Sequence, residues 1–374
     1  MKRDVARLIV ADSEGSADML YATRFFAPDA FIFLENGGMK SVVLCDLEID
    51  RGRRDATADE VIGMSDVKTR IQKKGGKEEP GFDAILIQVL REKKVRKVRV
   101  PFDFPAGIAA VLGEAGIGVE AVRGLFWPER ECKGANEVKA IGKALRITEA
   151  GMERGMEVLG AATINGRNLI WGGRKLTSEI LRAEIDSAIL RAGGMPANTI
   201  VAGGMQACDP HERGSGPLRA HELIILDIFP RDSNGGYYGD MTRTVVKGRA
   251  SDAQRRLWET VQKGQQLAFA GMKPGESGSE VHEGVKAFFA KEGYPTEQRE
   301  GRWVGFFHGT GHGLGLEIHE EPRFGRTTFK EGQVLTVEPG IYWPGVGGCR
   351  IEDVAVVTAG GYRKLSRFRQ KVEV

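Results

Sequence analysis

Three of the chain's six histidines fall within one short segment, HGTGHGLGLEIHE (308–320). Imidazole is the side chain that most readily moves protons or binds metals at neutral pH, so this is the first place to look for chemistry. The helical zinc motif, with two histidines on one face at i and i+4, does not fit. Glycines stand at 309, 311, 313 and 315, and each costs a helix about 1 kcal/mol relative to alanine. Glycine at every second position predicts instead an extended segment whose backbone something approaches closely. His308 and His312 would then share a face, and His319 would point away unless the chain bends.

Carboxylates stand where apolar strands normally exclude them, because burying an unpaired charge is expensive. Asp227 follows the aliphatic run of ELIILDIFP (222–230), Glu338 ends a strand in TVEPG (336–340), and Glu352 and Asp353 head the apolar run of RIEDVAVV (350–357). Asp240, in GGYYGDMTRT (235–244), follows the turn cluster SNGG (233–236). That turn predicts a hairpin folding 237–244 against 224–229, with Asp240 near Asp227. Facing residues on paired strands have Cβ atoms about 4.5–5.5 Å apart. Two carboxylates held so close repel unless a proton or cation lies between them.

An oxygen-rich donor set with one imidazole and no thiolate suits Mn²⁺, Fe²⁺, Co²⁺ or Zn²⁺ and argues against a structural zinc. Several carboxylates can bridge two ions about 3.5–4 Å apart, the arrangement that activates a water and clamps a tetrahedral intermediate. Singly, each residue has an ordinary alternative: Asp227 a hairpin-end residue, Asp240 an Asx cap beside Gly239, Glu338 a solvated strand end, Glu352 a surface partner of Arg350, His312 a loop histidine. One dinuclear site accounts for all of them together.

The elements that must position these groups divide the chain. Residues 31–45 read as a hairpin turning at ENGG, 81–94 as a helix, 95–100 as a strand, 105–116 as a helix opened by proline and closed by glycine, and 118–122 as a strand. This alternating α/β half contains no histidine, which puts the chemistry elsewhere. Pro128 and Gly134 interrupt the periodicity, giving units 1–128 and 136–374. In the second unit, helices are expected from Asn136, over 177–191, over 252–269 and over 280–291. Strands are expected at NTIVAGG, ELIILDIFP, GYYGDMTRTVVKG, QVLTVEPGIY and CRIEDVAVVT, each of the last two read as one strand. The order helix, helix, strands occurs twice, which hints at a duplicated α+β unit.

At 374 residues the chain can hold two domains, and a net charge of +3 is too weak to argue for a nucleic-acid or membrane partner. The basic stretch REKKVRKVRV (91–100) reads as a strand with Val95, Val98 and Val100 buried and a solvated charged face. Four scattered cysteines without a CxxC pair, no signal-peptide run and no long apolar run predict reduced thiols in a cytoplasmic protein.

Taken in order, LDIFP…GDMTRT, HGTGHGLGLEIHE, TVEPGIY and GCRIEDV resemble the metal-dependent aminopeptidase P, prolidase and methionine aminopeptidase superfamily, the M24 metallopeptidases. The resemblance covers most of 136–370. It implies an α+β fold with a C-terminal pita-bread catalytic domain. The region 17–51 resembles the N-terminal α/β domain of creatinase, prolidase and aminopeptidase P. Methionine aminopeptidases generally lack that domain and creatinase lacks the metal ligands, which leaves the Xaa-Pro aminopeptidase and prolidase branch.

By this resemblance the ligands of two divalent ions, Mn²⁺ first among the candidates, are Asp227, Asp240, His312, Glu338 and Glu352. Asp240 and Glu352 would bridge, and Glu338 would be the general base. His211, His308, His319 and Arg350 would contact substrate, His211 and His319 taking part in catalysis, and Thr242 would steady a ligand. His221 and His282 are read as packing residues. The implied activity is hydrolysis of the N-terminal Xaa-Pro bond of peptides. Prolidase activity on dipeptides is the alternative within the enzyme class, and a catalytically inactive pita-bread binding module the alternative outside it. A homodimer is expected. One departure stands out: Asp227 and Asp240 lie 13 apart, two more than is usual in the family, an even insertion that keeps both on one face.

Overall fold

The computed structural model of the chain describes residues 5–75 and 79–374. Contacts divide it into two compact units, Met1–Pro128 and Glu129–Val374.

The first unit is built on a mixed sheet, its six strands among the described residues running in the order Glu60–Gly63, Met39–Leu44, Phe31–Asn36, Ala6–Ala11, Lys97–Pro101, Gly118–Val122. Both faces are covered. Leu8, Val10, Ile32 and Leu34 join one core, while Ile9, Phe31 and Phe33 join another with Phe25 and Trp127. Burial on both faces explains why these strands read as unbroken apolar runs rather than alternating ones. The expected hairpin turns at Gly37 and Gly38, both at positive φ, as a two-residue turn matched to strand twist demands. Val95, Val98 and Val100 are buried, and Lys97 and Arg99 pair with Glu120 on the adjacent strand, so the basic stretch is a solvated strand face.

The second unit repeats its element order. Helices Ala135–Ala161 and Ser178–Arg191 precede a three-stranded antiparallel sheet of Ile200–Gly203, Leu223–Ile228 and Met241–Val246. Helices Asp252–Gly271 and Gly278–Lys291 precede a five-stranded sheet, which contains His312–Gly313, Val334–Val337 and Asp353–Thr358. Each helix pair covers its own core. Leu181, Ile185 and Ile189 pack on Leu226 and Ile228 in the first, and Leu257, Val261 and Phe289 pack on Leu335, Val337 and Ala355 in the second. No helix among the described residues is long and apolar enough to cross a membrane.

Two expectations are corrected. QVLTVEPGIY and CRIEDVAVVT are not single strands: each breaks into two, Val334–Val337 and Gly340–Trp343, and Gly347–Arg350 and Asp353–Thr358. Proline at 339 has no amide proton for a ladder, and the partners change across the break. Val334–Val337 pairs with Asp353–Thr358, whereas Gly340–Trp343 pairs with Gly347–Arg350. Glu338 and Glu352 sit at the two facing breaks. There Glu338 N donates to Thr310 O at 2.8 Å and Glu352 N to Thr242 O at 3.1 Å.

One buried arginine ties these pieces together. Arg243 donates to the fully buried Asp353 carboxylate at 2.8 Å, to the Glu352 carbonyl and to the Phe368 carbonyl. Arg243→Met should lower the unfolding free energy by about 3–5 kcal/mol, the usual cost of orphaning a buried charge, read from urea denaturation. A loss below about 1 kcal/mol would mean that Lys364 and Gln370, the other partners of Asp353, suffice.

Candidate metal centre and active site

Asp227 and Asp240 arrive on one hairpin. The register sets Asp227 opposite Thr242, so Asp240, two residues before Thr242, is its diagonal neighbour on the same face. The expectation that the two carboxylates face each other directly is corrected by one pleat. Between the strands the chain makes a detour: Arg231–Asp232 pairs with Gly194–Met195, and Asp232 accepts from Asn234 N at 3.2 Å. Gly239 N then bonds back to Pro230 O at 3.0 Å, which closes the loop under Asp240.

The histidine segment is less extended than its glycines suggest. Within 308–319 only His312–Gly313 is a strand, with an irregularity between the two residues. The close approach is real at three of the four glycines. A Cβ on Gly311 would lie 2.0 Å from Thr336 O, on Gly313 2.5 Å from Glu321 O, and on Gly315 2.0 Å from Glu320 Oε1. Beyond His312 the chain bends, which returns His319 to the site with its ring 4.3 Å from that of His312 and nearly perpendicular to it. The bend is held by Glu320, whose buried carboxylate pairs with the buried Arg130 and with Lys133 Nζ at 2.7 Å. Arg130 also reaches Glu317 at 2.7 Å.

The donors then converge. Ligand atoms of Asp240, His312 and Glu352 all lie within 4.8 Å of one another. His312 Nε2 is 3.3 Å from Glu338 Oε1 and 3.7 Å from Asp240 Oδ2. His312 Nδ1 lies 3.1 Å from Gly313 O, and since a carbonyl only accepts, Nδ1 carries the proton. Burial pushes the His312 pKa down to about 4, so the ring is neutral and Nε2 turns a lone pair toward carboxylate oxygens. Acceptor against acceptor calls for a cation between them. The buried Asp227 Oδ1 has no hydrogen-bond partner, and Asp227 Oδ2 takes Arg350 at 2.7 Å.

The carboxyl pKa values register the same frustration. Burial, then the charges of Glu352 and Asp227, raise Asp240 well above the carboxylate range. Burial, then Glu338 and Asp227, do the same to Glu352. Glu338 is pushed up to about 7 by burial and Asp227, against the pull of Arg350. Four carboxylates, one lone-pair imidazole and an orphaned oxygen fit hard or borderline divalent ions. Thr242 Oγ1 donates to Glu352 Oε2 at 2.7 Å and holds it from behind.

These groups open into a cavity of about 850 Å³ that is also lined by His211, His308, His319 and Arg350. Arg350 Nη1 donates to the Tyr342 hydroxyl at 2.8 Å, and that hydroxyl lies 2.9 Å from His308 Nε2. His308 Nδ1 faces Gly309 O at 2.8 Å and so carries the proton, which leaves Nε2 to accept from Tyr342. Burial pushes His308 down to about 3 and His319 to about 4, and pushes Tyr342 up to about 12. His211 is exposed and lines the cavity. His221 lies away from the cavity and bonds Arg249 through Nδ1 at 3.1 Å. His282, read as packing, does pack against Phe306 and also lines the cavity, because its helix passes beside the turn at Phe324–Arg326. Tyr342 and Thr310 were also missed. The available signal was that a tyrosine in a fully buried strand must find a partner for its hydroxyl.

Comparison with known proteins agrees with this geometry. Residues 139–359 match metallopeptidase family M24. A Pyrococcus furiosus protein named Xaa-Pro dipeptidase is 31% identical over 66% of this chain and 71% of its own length. For a Pyrococcus horikoshii protein of the same name the figures are 30%, 65% and 64%, so the chain spans just under two thirds of that relative. The structure of a prolidase from Pyrococcus furiosus superposes with a TM-score of 0.78 at 23% identity, covering 98% of this chain and 97% of that one. The structure of an X-Pro aminopeptidase from Thermotoga maritima does so with a TM-score of 0.82 at 22%, covering 99% and 97%. The chain belongs to metallopeptidase family M24, and its fold is the mixed helix-and-sheet pita-bread fold of that family.

The raised carboxyl pKa values give a test. A cation binds the ionised forms, so its arrival must displace protons from Asp240, Glu352 and, near pH 7, from Glu338. Adding Mn²⁺ to chelator-treated protein at pH 7 should release protons, and apparent affinity should fall as pH drops below 7. Calorimetry in buffers of different ionisation enthalpy measures both, and proton uptake or no exchange would contradict the electrostatics described.

Proposed function

We propose that the chain is an Xaa-Pro peptidase of the aminopeptidase P kind, which removes the residue preceding proline from the N-terminus of peptides. The observation that carries it is the buried convergence of Asp227, Asp240, His312, Glu338 and Glu352 beside an open cavity. The printed names of the relatives, Xaa-Pro dipeptidase and Xaa-Pro aminopeptidase 1, support the substrate class. The cavity volume of 850 Å³ falls high in the range of about 300–1,000 Å³ typical for whole ligands, which supports substrates longer than two residues. The dipeptidase names keep prolidase activity as the second reading. A binding module without catalysis is disfavoured, since every expected donor is present.

Asp240 and Glu352 would hold both of two ions, Asp227 one of them, and His312 and Glu338 the other, with Mn²⁺ the first choice over Co²⁺, Zn²⁺ and Fe²⁺. When bound, such ions make water nucleophilic at neutral pH and polarise the scissile carbonyl. Glu338, beside the water the ions would hold, would accept the water's proton and return it to the proline nitrogen as that bond breaks. His319, held neutral beside His312, can donate an N–H to the developing oxyanion. Arg350 fixes Asp227 and, through Tyr342, orients His308 toward the substrate, and His211 closes the rim. The first unit serves as a creatinase/prolidase-type accessory domain, and the chain works as a cytoplasmic homodimer.

Manganese-loaded protein should hydrolyse both Gly-Pro and Gly-Pro-Pro-type peptides, with the higher kcat/KM on the longer ones. Activity confined to Gly-Pro would assign the prolidase reading, and none on either would end the proposal. Asp240→Ala and Glu352→Ala should each remove metal, measured by elemental analysis, and lower kcat by a factor of about 10⁴ or more. Retained turnover in either variant would contradict its placement between the ions.

A further inference from the structure

His282 lies on the helix Gly278–Lys291 and lines the cavity, yet the chemistry above does not use it. Its Nδ1 is 2.8 Å from Thr310 Oγ1. Thr310 is fully buried between His308 and His312, and its hydroxyl has no other hydrogen-bond partner among the described residues. A buried hydroxyl proton needs an acceptor, and Nδ1 is the one within reach. The hydroxyl therefore donates to Nδ1. A neutral imidazole carries one proton, so that proton sits on Nε2. Burial favours the neutral ring. The exposed Glu283 carboxylate lies 4.0 Å from Nε2, too far for a hydrogen bond.

The ring is also fixed in place. It lies 5.3 Å from the ring of Phe306, which meets the His308 ring edge-on at 5.1 Å. A Cβ on Gly325 would touch His282 Cγ at 4.0 Å, so the imidazole rests against the turn Phe324–Arg326. Arg323 and Arg326 line the cavity from that turn, and neither forms an ion pair among the described residues. This wall offers donors only, the opposite chemistry to the carboxylate cluster. Donors of this kind suit the carbonyl and carboxyl oxygens of a peptide.

We propose that His282 is a substrate-binding residue whose Nε2–H donates to an acceptor oxygen in the carboxyl-terminal part of the bound peptide. The proposal rests on the peptidase reading for its ligand class. The acceptor is either the carbonyl that follows proline in a longer peptide or the terminal carboxylate of a dipeptide.

Two variants and one spectroscopic signature test it. His282→Phe keeps a ring against Phe306 and removes both nitrogens, whereas His282→Gln keeps an amide N–H near the position of Nε2. In His282→Phe, KM should rise about tenfold, as loss of one hydrogen bond predicts, with kcat within about twofold of wild type, and His282→Gln should recover most of the loss. A rise for Gly-Pro alone identifies the carboxylate as the acceptor, and a rise for Gly-Pro-Pro as well identifies the carbonyl. Unchanged KM on both, or a loss confined to kcat, overturns the proposal.

In chelator-treated wild-type protein, nitrogen-15 spectra should show His282, identified by its absence in His282→Phe, as the Nε2–H tautomer whose signal shifts on adding Gly-Pro-Pro. An Nδ1–H tautomer, or a signal that ignores the peptide, also overturns it. Wild-type protein that cleaves neither peptide while this signal still responds would sink the peptidase reading and leave the binding role standing.

Discussion

The structure turns on a repulsion. Asp227, Asp240, Glu338 and Glu352 are brought together with a lone-pair nitrogen of His312 in a largely buried place, and among the described residues Arg350 is the one cation that bonds this set directly, through Asp227. Burial and mutual repulsion raise the pKa values of Asp240, Glu352 and Glu338, which favours their protonated forms. A fold that concentrates anions in this way is stabilised by whatever cation or proton enters the cluster. Much of the rest of the second unit can be understood as the scaffold that enforces the repulsion.

That scaffold works by breaking strands where ordinary sheets would continue them. Glu338 and Glu352 occupy the points at which two neighbouring strands exchange one set of partners for another, so neither carboxylate has to follow the alternation of a regular ladder. Their amides are held by Thr310 and Thr242, residues of the His312 and Asp240 segments. Glu338 and Glu352 are thereby each fixed by a segment that supplies another donor.

The sequence disclosed this site unevenly, and the reasons are physical. Carboxylates beside apolar runs and turns are conspicuous because burial of charge is costly, so Asp227, Asp240, Glu338 and Glu352 stood out as a group. Each alone had an ordinary reading, and the family resemblance was needed to assign them. The glycines at 311, 313 and 315 announced close packing. The hairpin over 31–45, the elements between 81 and 122 and the helices of the second unit were equally plain, whereas the strands Ala6–Ala11 and Glu60–Gly63 and the three helices before residue 75 were not read. What stayed hidden depends on geometry between distant segments: the diagonal register of Asp227 and Asp240, the strand breaks, and the hydroxyl of Tyr342 joining Arg350 to His308. His282 was passed over for the same reason, since a histidine on an amphipathic helix carries no local sign that its helix runs along a cavity.

The ions around Glu320 bear on where the catalytic unit begins. Arg130 and Lys133 lie in the short stretch that periodicity leaves between the two halves, yet their side chains are buried against the carboxylate that follows His319. A fragment started at the first residue of clear helical periodicity, Asn136, would keep every metal donor and discard both of these cations. Glu320 would then lose both of its cationic partners, and the bend that carries His319 would lose the ion pairs that hold it. The stretch that looks like a tether in the sequence is, in the folded molecule, part of the wall behind the active site.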